Sequence, residues 1–348
     1  MIFNMSVSVA ISPSLFTQSS LATLLNSGVQ HVHIPVYSTN WVEAFGTHIQ
    51  PTSTREFQPV TPDVFMDLFG QIHAAGAEIT AVLDGELSSE NERLWLAQTL
   101  AFLDAHGVKQ VCISSPAIPL LFSEKFPRIS WVASSSALIY SVPAAQFWAD
   151  LGIYRIVLPY QMTGAEALAA IHYASHLPLK FSVPILGYSQ HRLNGACHAD
   201  CDWVDPAICQ TQVTPWLEPD ITQDIEFVHA LQADPASSGT WHDIAPEFRY
   251  AYAKKVTEQF AIQAAFRPAM PLKCGACFMP KIAQIPDIQM HINGVRVGAN
   301  RLIQDVQWII NSIHQSASQA QIQKDLNLPT VCNSRQWCLY PDQVEARL

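Results

Sequence analysis

Short apolar runs alternate with amphipathic stretches along most of the chain. The apolar runs, many of them rich in β-branched residues, fall at 6–12, 31–37, 78–84, 110–115, 129–134, 155–160, 180–187 and 288–293. Near-continuous apolar runs of this length are typical of parallel strands that are covered on both faces. Patterns with helical periodicity lie between them, at 62–75, 91–106, 144–151, 165–175 and 300–313. The alternation predicts a series of βαβ units.

Eight such units predict an α/β fold, a (β/α)8 TIM-like barrel. The alternative is a doubly wound open sheet, although no G-x-G-x-x-G follows the first run, which disfavours a dinucleotide-binding version. We expect the barrel to span 1–320, with a tail at 321–348. A long Trp- and Pro-rich insertion at 201–286, with helical stretches near 221–231 and 246–266, separates strands seven and eight. It is expected on the C-terminal face, where barrels place their active sites.

Composition and charge exclude several classes of protein. The chain has 348 residues, of which 49% are hydrophobic and 14% charged, and these values exclude a disordered chain. Its 19 Lys and Arg against 29 Asp and Glu give a net charge of -10, which makes nucleic acid and anionic membranes poor partners. No apolar run approaches the roughly 20 residues of a spanning helix, and the first residues lack the basic segment of a signal peptide. We expect a soluble, cytoplasmic protein without membrane insertion.

The spacing of the cysteines is the sharpest chemical signal. Five of the eight form two groups, C-x3-C-x7-C at Cys197, Cys201 and Cys209, and C-x2-C at Cys274 and Cys277 within KCGAC. In a reducing cytosol such groups indicate metal or cluster ligands rather than disulfides. Thiolates suit zinc or an iron–sulfur cluster, and the two groups are too far apart in sequence to meet except through the tertiary fold. The alternative is a set of unliganded thiols.

Polar residues follow the predicted strands at the C-terminal face of the barrel. Asp84 and Glu86, in the run LDGE, are candidates for general base and acid, unless one of them caps the next helix. His191 is a candidate proton source beside the cysteine loop, or a solvated loop residue. The candidates for contact with substrate are Tyr37, Ser134, Ser135, Tyr160, Gln161 and Tyr188.

Two histidines alternate on the second strand. His31 and His33 are separated by one residue, so both point to the same side of the sheet. They either face a ligand or ligate iron, or they are bonded to backbone at the barrel interface.

The segment 180–209, KFSVPILGYSQHRLNGACHADCDWVDPAIC, resembles the signature region of the collagenase-like peptidase family, U32. Gly187 and Cys197 keep the family's spacing of nine residues between a glycine and a ligand cysteine after strand seven. The segment MHINGVR stands where the family has a KIEGR-like strand. Upstream, the positions that match a family pattern after strand five are Trp148, Leu151, Gly152, Arg155, Val157 and Leu158.

In character the chain is most similar to the UbiU/UbiV-type members of this family, which are O2-independent hydroxylases that carry a 4Fe–4S cluster. The resemblance implies that Cys197 is a cluster ligand, that Cys209 or, as an alternative, Cys201 follows it, and that Cys274 and Cys277 complete the set. The chain departs from the common motifs, which argues against peptidase activity and nucleic-acid modification. The departures, where the family has Cys, Glu, Lys and Glu, are Gln190, Ser182, His291 and Asn293.

The resemblance thus implies an iron–sulfur protein that hydroxylates a small apolar or aromatic, quinone-like molecule without O2. One alternative is a peptidase or other hydrolase of the same family that uses zinc. Another is a non-catalytic, cluster-bearing subunit of a heteromeric complex. As partners we expect a small-molecule substrate and a second family member in a heterodimer.

Overall fold

The computed structural model describes residues 6–45, 60–84, 89–159, 162, 164–187, 273–294, 298–318 and 321–322. Most of the predicted insertion lies outside these ranges, with both of its helical stretches, and so does almost all of the predicted tail. The predicted domain boundaries therefore stay predictions. None of the described helices combines the length and the hydropathy that a bilayer crossing requires.

Eight parallel strands close into a barrel. They are β1 (Ser6–Ala10), β2 (His31–Pro35), β3 (Glu78–Val82), β4 (Gln110–Ile113), β5 (Ser130–Ala133), β6 (Ile153–Val157), β7 (Lys180–Gly187) and β9 (Gln289–Asn293). Each of the first seven pairs with the next, and β9 lies between β7 and β1. The pairing of β6 with β7 completes the ring, so the open-sheet alternative is wrong. The predicted (β/α)8 barrel is confirmed, and each strand lies within a predicted run except for small shifts at the ends.

A ninth strand, β8 (Lys273–Cys274), was not predicted from the sequence. It is two residues long and runs antiparallel to the last residues of β7. It lies in the part of the predicted insertion nearest to β9. The residues that follow pack into the protein, since Ala276, Phe278 and Ile282 are buried. The end of the predicted insertion therefore packs into the main core of the barrel.

Helices connect the strands on the outside. Their bounds are α1 (Gln18–Asn26), α2 (Thr39–Phe45), α3 (Pro62–Ala74), α4 (Glu90–Ala105), α5 (Ala117–Phe122), α6 (Val142–Asp150), α7 (Gly164–Tyr173), α8 (Met279–Ile282) and α9 (Ala299–His314). Hydroxyl side chains cap the N-termini of several of these helices. Thr17 and Ser89 form capping boxes before α1 and α4, and Ser141 accepts a hydrogen bond from a backbone N–H of α6.

The main core lies between the strands and the helices. Val9, Val32 and Ile34 on the outward faces of β1 and β2 are fully buried, as are Leu302 and Val306 of α9. Because successive side chains of a strand point to opposite faces, the intervening residues of β1 and β2 point into the barrel interior. In these two strands the intervening residues are mostly serine and histidine. The interior of this barrel is thus partly polar, whereas branched apolar residues usually fill it.

Candidate functional site

A cluster of polar side chains lies where β2 to β5 end, at the C-terminal mouth of the barrel. Tyr37 follows β2, Asp84 follows β3 and Ser134 follows β5, while Cys112 lies near the end of β4. All four residues are buried. We refer to Tyr37, Asp84, Cys112 and Ser134 as the mouth cluster. Neighbouring parallel strands bring them together, although they are far apart in the sequence.

Two hydrogen bonds hold Asp84 in place. The Ser134 hydroxyl donates to Asp84 Oδ2 at 2.7 Å, and the Tyr37 hydroxyl donates to the Asp84 backbone oxygen at 2.8 Å. Ser134 Oγ in turn accepts from the backbone N–H of Ser136 at 3.2 Å. Asp84 is not the cap of α4, because Ser89 has that role. The helix-cap alternative is therefore wrong for Asp84, whose oriented carboxylate is suited to accepting a proton.

The other ionisable groups of the mouth cluster stay protonated at neutral pH. Burial raises the pKa of Tyr37 well above its ordinary range, and the charge of Asp84 adds to the effect. Burial likewise raises the pKa of the Cys112 thiol, again with a contribution from Asp84. Cys112 is therefore a neutral thiol. Asp84 is the acceptor of the mouth cluster, and Tyr37 and Cys112 are its neutral neighbours.

An apolar layer lies directly beneath the mouth cluster. Val82, Val132 and Val157 pack around Cys112 inside the barrel, apart from the main core. Val82 and Val132 precede Asp84 and Ser134 by two residues each. Side chains two residues apart in a strand point to the same face, so these valines also point into the barrel and lie deeper in it than the mouth cluster. Sites for small organic molecules have a similar lining, which is mostly apolar with a few polar groups.

The other predicted site residues are only partly described. Ser135 is half-buried and begins a short 3-10 helix after Ser134. Glu86, His191, Tyr160, Gln161 and Tyr188 lie outside the described residues, as do Cys197, Cys201 and Cys209. Their roles stay predictions.

The backbone of the KCGAC segment is described, although the side chains of Cys274 and Cys277 are not. Cys274 pairs with Leu186 near the C-terminal end of β7, and the N–H of Gly275 donates to the Ile185 oxygen at 2.6 Å. Cys277 lies in the 3-10 helix Ala276–Phe278 that follows. Among the side chains that the structure describes, no group of three or more His, Cys, Asp or Glu is arranged to hold a metal ion.

Deeper in the barrel, one half of the interior wall is polar. Ser8 Oγ and His291 Nδ1 are 2.9 Å apart, and Ser182 donates to Gln289 Oε1 at 2.7 Å. The His33 ring meets the His291 ring edge-on, with centroids 4.9 Å apart. His33 thus contacts another ring in the barrel interior, and the prediction that it is bonded to backbone stays a prediction. The alternation in SVSVA, HVHIP and QMHIN is the sequence signal for this polar wall.

The three interior histidines favour the neutral form. Burial lowers the pKa of His291 to about 4. Burial also lowers the pKa of His33 well below its ordinary value, and the neighbouring His291 and His31 act in the same direction. The pKa of His31 is lowered by burial, although the nearby Glu78 carboxylate acts against this. At neutral pH the histidines therefore contribute hydrogen-bonding groups and no charge.

The match to a sequence family decides the relationship of this chain to known proteins. The sequence model of peptidase family U32 matches residues 20–200, just over half of the chain. The chain belongs to peptidase family U32. The matched span includes the whole mouth cluster and the Gly187–Cys197 spacing. The family resemblance inferred from the sequence is thereby confirmed, whereas its UbiU/UbiV-type character stays a prediction.

Solved structures also resemble this U32 chain. The U32 peptidase Mk0906 is 17% identical, with a TM-score of 0.41 over 52% of this chain and 69% of that one. A tryptophan synthase from M. tuberculosis is 8% identical, with a TM-score of 0.45 over 89% and 93% of the two chains. A protein from Aquifex aeolicus VF5 is 8% identical, with a TM-score of 0.45 over 91% and 94%. A search among curated proteins found no match.

Proposed function

We propose that this U32 chain is a 4Fe–4S protein that hydroxylates a small apolar or aromatic, quinone-like molecule without O2. The observation that carries the proposal is the attachment of both cysteine groups to one strand end. Cys197 follows Gly187, the last residue of β7, after nine intervening residues. Cys274 pairs with Leu186 of the same strand. The segment that leads to Cys197 and the segment that contains Cys274 therefore start from the same strand end, which supports a site shared by the two cysteine groups.

The donor set suits an iron–sulfur cluster. The expected ligands are Cys197, Cys209, Cys274 and Cys277, with Cys201 as the alternative to Cys209. Four thiolates are the usual ligands of a 4Fe–4S cluster, and the same set can hold zinc. Cys112 does not belong to it, because its side chain packs among Val82, Val132 and Val157 inside the barrel. When bound, a 4Fe–4S cluster supplies single-electron transfer at the barrel mouth.

The mouth cluster is suited to a flat, weakly polar substrate. The Val82, Val132 and Val157 side chains offer an apolar floor that excludes water from a buried ring. Above it Asp84, oriented by Ser134, accepts a hydrogen bond or a proton from a hydroxyl group of the substrate. The net reaction converts a C–H bond of the substrate into C–OH. The oxygen atom comes from an organic donor rather than from O2, and this donor is reduced as the substrate is oxidised.

The experiment is an iron and sulfide count on the full chain purified without oxygen. We expect about four irons and four sulfides per chain and a broad visible absorption. Cys197→Ser and Cys277→Ser should lose iron and colour, whereas Cys338→Ser, outside the expected ligand set, should keep both. One zinc without iron would instead support the hydrolase alternative. Metal-free protein, or equal iron in all three variants, would reject the proposal.

A second measurement separates an enzyme from a non-catalytic subunit. Binding of a water-soluble hydroquinone, which carries the hydroxyl groups that Asp84 would accept from, can be followed by quenching of tryptophan fluorescence in the wild-type chain and in Asp84→Asn. We expect binding to the wild type and weaker binding to the variant, because the amide cannot take a proton and is a weaker acceptor. A cluster-bearing chain that binds no hydroquinone, and that copurifies with a second U32 protein, would favour the subunit alternative.

A further inference from the structure

We propose that the N-terminal half of the barrel interior binds a small oxyanion, and that Arg155 and Lys180 are its charged ligands. This site is distinct from the mouth cluster. Val157, two residues after Arg155 on β6, belongs to the apolar layer that lies beneath the mouth. The oxyanion site is therefore on the other side of that layer. It does not depend on the proposed hydroxylase function.

Arg155 is a buried cation with unused hydrogen-bonding capacity. The residue is 6% exposed, and its Nη1 donates to the Phe181 backbone oxygen at 3.3 Å. Its Nε atom is buried and has no hydrogen-bond partner among the described residues. The guanidinium carbon lies 5.5 Å from the Tyr154 ring centre. Burial of an unpaired charge costs several kcal/mol, so native proteins pair such groups with an opposite charge.

An irregularity in β6 directs Arg155 inward. The pairing of β5 with β6 passes from Trp131–Ile153 to Val132–Arg155, which leaves Tyr154 as an extra residue. Ile153 can thus join the outer core while Arg155 joins Val132 on the inner face. Such bulges re-aim side chains and are common beside functional sites. The extra residue in β6 therefore places the Arg155 side chain inside the barrel.

Lys180 adds a second positive charge next to Arg155. It is the first residue of β7 and the register partner of Arg155 on β6. Register partners of neighbouring parallel strands point to the same face, and like charges in that position repel each other. Lys180 is exposed at the N-terminal end of the barrel and forms no ion pair with the residues that the structure describes. An oxyanion between the two cations would relieve their repulsion.

The described residues do not supply the missing negative charge. Glu78 is the carboxylate at this end of the interior wall, and it already accepts from Gln110 and lies 3.4 Å from His31 Nδ1. The guanidinium Nε and Nη groups form a fork that matches two oxygens of a carboxylate or phosphate group. These facts favour an oxyanion from solution.

The test is thermal unfolding of the full chain in inorganic phosphate or in acetate, with sodium chloride at the same ionic strength as reference. The melting temperature should rise saturably with at least one oxyanion at millimolar concentration. Arg155→Lys keeps the charge but loses the fork, so the rise should largely disappear. Lys180→Gln should weaken it severalfold. Lys109→Gln, at an exposed position just before β4, is the matched control and should behave like the wild type.

Two results would overturn the proposal. One is the absence of a saturable effect of either oxyanion on the wild type. The other is an equal effect in Lys180→Gln and in the wild type, as expected if the ions act only through solvent. Lys180 is exposed, so its variant should fold and carry the test even if Arg155→Lys does not. Calorimetric titration of phosphate into the wild type and Lys180→Gln then compares the two dissociation constants directly.

Discussion

The hydrogen bond between Ser134 and Asp84 provides the most direct test of the mouth cluster. The replacement Ser134→Ala removes the hydroxyl that donates to Asp84 Oδ2 at 2.7 Å and accepts from the Ser136 N–H at 3.2 Å. Asp84 and Ser134 are only 5% and 6% exposed, so water does not easily replace the lost bonds. A hydrogen bond to a charged acceptor contributes about 1.5–3 kcal/mol, and a backbone bond about 1 kcal/mol.

We therefore expect Ser134→Ala to lower the free energy of unfolding by about 2–3 kcal/mol, since two bonds made by one hydroxyl are not fully additive. Urea unfolding followed by tryptophan fluorescence measures this change. Ser130→Ala is the matched control, because Ser130 is exposed at the start of the same strand, β5. Its effect should stay within about 0.5 kcal/mol.

A double-mutant cycle with Asp84→Asn isolates the interaction itself. If the carboxylate and the hydroxyl act on each other, the double variant should lose about 1–2 kcal/mol less than the sum of the single variants. Additive effects of the two replacements would refute the coupling. So would a Ser134→Ala variant that is as stable as Ser130→Ala.

Three further predictions concern the barrel wall and its interior. Gly294→Ala should destabilise the protein by about 1–3 kcal/mol, because a Cβ there would collide with the Leu302 side chain. At Gly70 in α3 a Cβ would meet no other atom, so Gly70→Ala should stabilise the protein by about 0.5–1 kcal/mol. Burial lowers the pKa of His291 from 6.5 to about 4, so acidification through that window should cost about 3 kcal/mol of stability, and His291→Asn should lose less. Burial raises the pKa of Cys112, so iodoacetamide at pH 8 should leave it unmodified in the native protein.

Each of these predictions has its own contradicting result. Equal stability of the two glycine variants in urea would show that the wall yields at Gly294. For His291, the unfolded chain takes up the proton near pH 6.5 and the folded protein only near pH 4, so stability must fall as the pH falls. Parallel acid profiles of the wild type and His291→Asn would contradict this. Mass spectrometry that finds Cys112 alkylated as fast in native protein as in urea would contradict its burial.

The regular elements were accessible from the sequence because their signals are local. A strand buried on both faces must be apolar throughout, so runs such as 180–187 mark strands directly. Long helices such as α4 carry their own periodicity. The described helices that sequence patterning missed are α1, α2, α5 and α8, of nine, seven, six and four residues. Such short helices span too few turns to show a clear apolar stripe.

The candidate site was accessible only in part. Asp84 and Ser134 were predicted at strand ends, because the carboxyl ends of parallel strands meet at one face. The hydrogen bond between them was not predicted, because it joins residues that are 50 apart along the chain and depends on the strand order β3, β4, β5. The interior contacts of His291 and Arg155 were missed for the same kind of reason. A polar residue that alternates with apolar ones in a strand normally indicates a solvent-facing side.

The sequence by itself determined the alternation of strands and helices, the family, and the polar residues that follow the strands. Each of these depends only on residues that are close together in the chain. Only the tertiary structure decided where the alternating polar residues of the strands point. Closure of the ring through β6 and β7 encloses Ser8, His33 and His291 in the interior, and the extra residue in β6 adds Arg155 to them. Closure of the barrel depends on contacts between segments far apart in the chain, so it cannot be predicted from local periodicity.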